Sequence, residues 1–215
     1  MVFSLILVSA SRGQQETISY ISTPHARETY ADRIRDRLFY IFPETRENPI
    51  KWYDSLNVSW LEHDPSRDVF LVDAQPGEYL VYQVGIWALK NTIEDLEVRL
   101  SDLTSNNGVS IVSEHMTCFN KGGISGKGTA FSKQVRVPQD RLQALWMGID
   151  LTNVKEGTYE GSVSVVADGM KQSIPLKLNV HGRGVINHGF DEGRRLSRMA
   201  WLNSTVGVEI GRAHV

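Results

Sequence analysis

Residues 157–180 read GTYEGSVSVVADGMKQSIPLKLNV, the most regular stretch of the 215-residue chain. In its first half Tyr159, Val163 and Val165 share one face, and Gly161 removes a side chain between them. Asp168-Gly169 is a hairpin turn, after which Ile174, Leu176, Leu178 and Val180 alternate with outward-facing Lys177 and Asn179. A period of two around a turn dipeptide predicts two half-buried antiparallel strands. Pro175 has no backbone N–H, so its strand must lie on an edge or turn that position outward.

The same period extends toward the N-terminus as far as Asp68. DVFLVD (68–73) leads to a Pro76-Gly77 turn, and EYLVYQVGIWA (78–88) then places Leu80, Tyr82, Val84, Ile86 and Ala88 on one face. Trp87 falls on the opposite face, which makes it a surface candidate. LEVRLSDL (96–103) alternates again, an Asn-Asn-Gly turn at 106–108 precedes VSIV (109–112), and MTCF (116–119) and QALWMGIDL (143–151) complete the series. Many short strands with turn signals between them indicate an all-β fold, a β-sandwich. One short helical segment is expected near the N-terminus. In ETYADRIRDRLFYIF (28–42), Ala31, Ile34, Leu38 and Ile41 recur at three- and four-residue spacing ahead of Pro43. Its Arg33, Arg35 and Arg37 read as a solvated face rather than a phosphate site.

Composition narrows the function classes. Twenty-three Lys and Arg against 25 Asp and Glu provide no polycationic surface, so nucleic acid is not expected as a partner. One cysteine, Cys118, builds neither a disulfide nor a thiolate zinc cluster, and it reads as a small core residue. The six histidines never take HxxxH or HExxH spacing, no serine sits in GxSxG, and no metal or cofactor is implied. KGGISGKGT (121–129) lacks the Gly and Ser/Thr that a GxxxxGK[ST] phosphate loop needs at its ends, and reads as a turn-rich loop. No stretch is apolar and long enough for a membrane helix. Of the five tryptophans, at 52, 60, 87, 146 and 201, core packing claims most, and Trp87 is the better candidate for stacking on a sugar.

The expected organisation has five parts. Residues 1–13 are an export-signal remnant or a first buried strand, and 14–67 a flanking segment. Residues 68–181 form the sandwich, and 182–208, Gly-rich and then charged at Arg194, Arg195 and Arg198, form a linker. Residues 209–215, EIGRAHV, read as a non-native tail.

Five stretches carry a resemblance to a known family: YQVGIWA (82–88), MTCFNKGGISGKGTAFSKQVRVPQ (116–139), RLQALWMGIDL (141–151), GTYEGSVSVVADG (157–169) and GFDEGRRLSRMAWLNSTVG (189–207). Together they resemble the N-terminal, noncatalytic domain of glycoside hydrolase family 123, over roughly residues 68–208. The CFN loop and the WLNST segment are the specific words. The resemblance implies a parent enzyme similar to β-N-acetylgalactosaminidases, retaining and assisted by the substrate's own acetamido group. Its Asp-Glu pair would lie in an α/β barrel following the sandwich, so no catalytic residue is carried onto this chain, and Asp191 and Glu192 are not assigned that role. The implied partners are a glycan substrate of the parent and, within the chain, the catalytic barrel. Trp87, Asn120, Trp201 and Asn203 are the candidate carbohydrate or interdomain contacts. An extracellular or periplasmic location is expected for the parent, and Asn57-Val-Ser59 and Asn203-Ser-Thr205 match the glycosylation pattern. The competing expectation is a stand-alone carbohydrate-binding or adhesion module.

Overall fold

The computed structural model describes residue 25 and residues 36–51, 57–64, 67–125, 127–186 and 188. Strands β1 (Phe39–Thr45), β2 (Phe70–Ala74) and β3 (Tyr79–Ala88) come first, with the short helix α1 (Val58–Glu62) between β1 and β2. β4 (Glu97–Leu100), β5 (Leu103–Ser105), β6 (Ser110–Ile111) and β7 (Met116–Cys118) follow. A small hairpin of β8 (Gly122–Ile124) and β9 (Ala130–Ser132) precedes the long strands β10 (Leu142–Asp150), β11 (Gly157–Ala167) and β12 (Met170–Val180).

Two sheets pack face to face. One has the order β1-β3-β10-β7; the other runs β2-β12-β11-β5-β6, with β4 also paired to β11. The alternating residues meet between them. Leu80, Tyr82, Val84, Ile86 and Ala88 face Tyr159, Val163, Val165, Ile174, Leu176, Leu178 and Val180 in one continuous core. This is an all-β sandwich, and removal of this much apolar surface from water is its main source of stability.

Local exceptions have physical causes. LEVRLSDL does not run as one strand: β4 ends at Leu100, β5 begins at Leu103, and both pair with β11. Gly161 makes the break possible, because a Cβ there would lie 2.5 Å from Leu103 Cδ2 and 2.6 Å from the Asp102 carbonyl oxygen. Pro175 lies in a strand flanked on both sides, yet its position is edge-like. Its partner Ser162 turns its backbone groups the other way, to Ser101, and pairing with β2 begins only at Leu176. The ladder therefore requires no N–H from Pro175.

The expected N-terminal helix is corrected over its last residues. Phe39, Tyr40, Ile41 and Phe42 form β1, antiparallel to β3, and Pro43 belongs to the same strand. Helical spacing was coincidental there. Phe39 and Ile41 enter the main core while Tyr40 and Phe42 enter a second cluster, so the alternation is of two buried faces. β1 is an edge strand, where proline is tolerated. Residues 28–35 lie outside the described residues. The sandwich thus draws a strand from residues before 68.

The segment after β12 runs back along the β2–β3 turn. His181 N–H donates to the Ala74 carbonyl at 2.9 Å and Val185 N–H to that of Pro76 at 2.7 Å. Gly77, at φ +81°, sits so close to Val185 that a Cβ would stand 2.3 Å from its carbonyl oxygen.

Candidate functional site

The four-stranded sheet is apolar on both faces. Its outer face collects Tyr40 and Phe42 from β1, Trp87 from β3, and Leu142 and Ala144 from β10, covered by Ile50 and by Trp60 and Leu61 of α1. Trp60 stacks on Phe42 at 4.8 Å between ring centroids and 17° between planes. Its Nε1 donates to Glu44 Oε2 at 2.6 Å, and Tyr40 Oη donates to its carbonyl at 2.8 Å. Phe42 needs Gly85 beneath it, since a Cβ there would meet the ring at 2.3 Å. Gln83, fully buried, accepts from Ile50 N–H at 2.9 Å and donates to the Thr45 carbonyl at 2.6 Å, tying the covering loop down.

This corrects the reading of Trp87 as a surface residue. It does lie opposite the main core, but only 5% of it is exposed and its Nε1 donates to Asp140 Oδ1 at 3.1 Å. Alternation identifies which face a residue takes; it is silent on what covers that face.

Toward the other end of the same face, Tyr79 and Phe119 are half-buried over Gly148, while half-buried Trp146 packs against the α1-covered cluster. A Cβ on Gly148 would come within 2.6 Å of Tyr79 Oη and 2.8 Å of Phe119 Cζ, so the two rings close over bare backbone. His188 stands edge-on to Tyr79 at 6.0 Å. Its Nδ1 lies 3.9 Å from Asp150 Oδ1 and its Nε2 3.5 Å from Thr152 Oγ1. Burial works against ionisation of Asp150, but hydrogen bonds from Thr152 and the nearby His188 and His115 outweigh it and hold the carboxyl below its ordinary value. An aromatic dish with a polar rim results. Tyr79, Phe119 and Gly148 were not singled out in the sequence; the available signal was an outer-facing register as apolar as the inner one.

Asn120 adjoins this dish in a structural role. Its Oδ1 accepts from Trp146 N–H at 2.7 Å, while Phe119 N–H donates to the Trp146 carbonyl at 2.9 Å. The side chain thus replaces backbone at the end of the β7–β10 ladder as the chain turns into the β8–β9 hairpin. Next to it Lys121 Nζ donates to Asp95 Oδ1 at 2.8 Å and the Leu96 carbonyl at 2.6 Å. KGGISGKGT is therefore one arm and the turn of a hairpin. Trp201 and Asn203 lie outside the described residues. Cys118 packs against the main core, and burial raises its thiol pKa. Among the described residues no group of three His, Cys, Asp or Glu is placed to hold a metal ion, and no helix is long and apolar enough to cross a membrane.

No family model and no curated protein matches the chain. Solved structures with a similar fold include a family 123 glycoside hydrolase from Clostridium perfringens, at 18% identity over 54% of this chain, with a TM-score of 0.45. The match spans 23% of that hydrolase. PapD-like domain 7 of human CEP192 is similar over 54% of this chain and 84% of its own, at 8% identity and a TM-score of 0.36. The CooA pilin subunit of enterotoxigenic Escherichia coli is similar over 66% and 99%, at 11% identity and a TM-score of 0.34. These are partial likenesses of β-sandwich fold.

Proposed function

We propose that this chain is a noncatalytic β-sandwich module that acts by contact, through the outer face of its four-stranded sheet. The observation that supports this reading is the half-buried aromatic pair Tyr79 and Phe119, which closes over the bare backbone of Gly148 beyond the cluster that α1 and Ile50 cover. One part of it is covered by Ile50 and α1, with half-buried Trp146 packed against that cluster; the other part holds Tyr79, Phe119 and Gly148.

Two finer readings stand on different observations. The sequence words at 82–88, 116–139, 141–151, 157–169 and 189–207 support the front domain of a glycoside hydrolase resembling family 123. Its contact face would brace a following barrel that cleaves β-N-acetylgalactosaminides, with Asn120, Trp201 and Asn203 near the junction and the parent exported. The half-buried aromatics with the polar rim of Asp150, Thr152 and His188 favour a stand-alone carbohydrate-binding or adhesion module, because ring faces beside hydrogen-bonding groups suit a sugar.

Calorimetric titration of the whole chain with N-acetylgalactosamine-terminated glycans, beside an aryl β-N-acetylgalactosaminide assay, separates them. No turnover and no binding is the result expected of a bracing domain. Saturable binding lost in Phe119→Ala selects the stand-alone module. Turnover abolished by one carboxylate substitution overturns the noncatalytic assignment.

A further inference from the structure

The edge of the second sheet at β2 has a geometry of its own. Among the described residues β2 is the last strand of its sheet, bonded to β12 on one side only. Around it the chain reads Asp68-Val-Phe-Leu-Val-Asp73, four apolar residues with no Pro or Lys to blunt the edge. Val69 and Leu71 are 48% and 61% exposed, whereas Phe70 and Val72 turn inward and pack against the core. Beside this edge the two sheets part. A hollow of about 240 Å³ opens between β2 and the β1–β3 pair, lined by Phe70, Val72, Leu80 and Tyr82 among others. A second hollow of about 260 Å³ continues it past Gln75 and His181. Arg46, Asp73 and Glu78 line both.

Arg46 adds an observation of its own. Its Nη1 is out of contact with solvent and has no hydrogen-bond partner, the nearest carboxylate oxygen being Glu78 Oε1 at 3.6 Å. The side chain as a whole is 31% exposed and also pairs through Nε with Glu47 Oε1 at 3.1 Å, so it stands as a charged donor on the wall of both hollows.

We infer that the β2 edge and this hollow form a strand-accepting groove for an extended peptide segment of a partner polypeptide. The peptide pairs its backbone with β2 and presents a carbonyl to Arg46, and its alternate, apolar side chains enter above Phe70, Leu80 and Tyr82. A second copy of β2 fills the site poorly, because its own inward residues, Phe70 and Val72, are already held in its core; the Phe70 ring lies 5.7 Å from that of Tyr82. The occupant needs free inward side chains, which an unstructured segment supplies. Charge narrows it further. Glu47, Asp73 and Glu78 outnumber Arg46 on the groove walls, so basic residues flank the apolar ones in the peptide that fits.

The test uses the whole chain and the labelled peptide Lys-Thr-Val-Thr-Val-Thr-Lys, followed by fluorescence anisotropy and by hydrogen exchange of the amides of residues 69–73. Saturable binding with slowed exchange at β2 is expected. Binding should weaken about tenfold in Arg46→Gln, the scale of one charged hydrogen bond. The same peptide with proline at its centre keeps the charge and loses a backbone donor, so it should bind at least about tenfold more weakly. That comparison needs no variant of the protein to fold. Equal binding of both peptides, or none of either, overturns the proposal. So does slowed exchange at β2 that rises with protein concentration in the absence of peptide, which would assign the edge to a second copy.

Discussion

The Asn120 side-chain oxygen accepts the backbone N–H of Trp146 at 2.7 Å, one residue beyond the last strand pair between β7 and β10. A side chain thus carries the ladder past the end of β7 and fixes where the chain leaves the sheet. Asn120→Ala is expected to leave the Trp146 N–H unpaired at a part-buried position. The cost should be about 1 to 3 kcal/mol in urea unfolding. Asn120→Asp keeps the acceptor and should recover most of the loss.

Gly85 is the floor under Phe42. Gly85→Ala places a methyl group against the Phe42 ring and disturbs its stack on Trp60. Thermal unfolding should show a loss of about 1 to 3 kcal/mol, the range of an overpacked core. Tryptophan fluorescence should report a changed Trp60 environment in the folded state.

Asp95 links two loops by accepting from Lys121 Nζ at 2.8 Å and from Val135 N–H at 2.9 Å. The Lys121 ammonium, with help from the Val135 amide, lowers its pKa to about 2, against about 4 for a free carboxyl. A depressed folded pKa means that the stabilisation is complete above the unfolded value and is lost as pH falls through the folded one. The Tm gap between the native chain and Asp95→Asn should therefore be full above about pH 5 and close toward about pH 2. A gap of constant size across that window would show that the Asp95 charge is not its source.

Cys118 packs partly inside the main core, and burial raises its thiol pKa despite the backbone amides of Asn120 and Lys121 nearby. Its reaction with a disulfide reagent at neutral pH should be slow in the folded chain and fast in urea.

The long strands β3, β11 and β12 were legible because each combines a period of two with turn residues that set its ends, as in Asp168-Gly169 between β11 and β12, whereas the split of LEVRLSDL into β4 and β5 and the β8–β9 hairpin were not. Residues 39–42 misled for the opposite reason. Four consecutive apolar residues satisfy a helical template and a strand buried on both faces equally well, and pairing with β3 decided between them. Asn120, a candidate contact in the sequence, also ends the β7–β10 ladder, a role that exists only once Trp146 is beside it.

Sequence alone determined the all-β class, the inner faces of β3, β11 and β12, and the gap that Gly161 leaves, since these follow from local stereochemistry and the alternation of side chains. Only the tertiary structure decided that Trp87 is buried, that Tyr79 and Phe119 close over Gly148, and that among the described residues β2 pairs on one side only. Those facts depend on which strands become neighbours and on what covers each face. Residues far apart in the chain create them, and no local pattern records them.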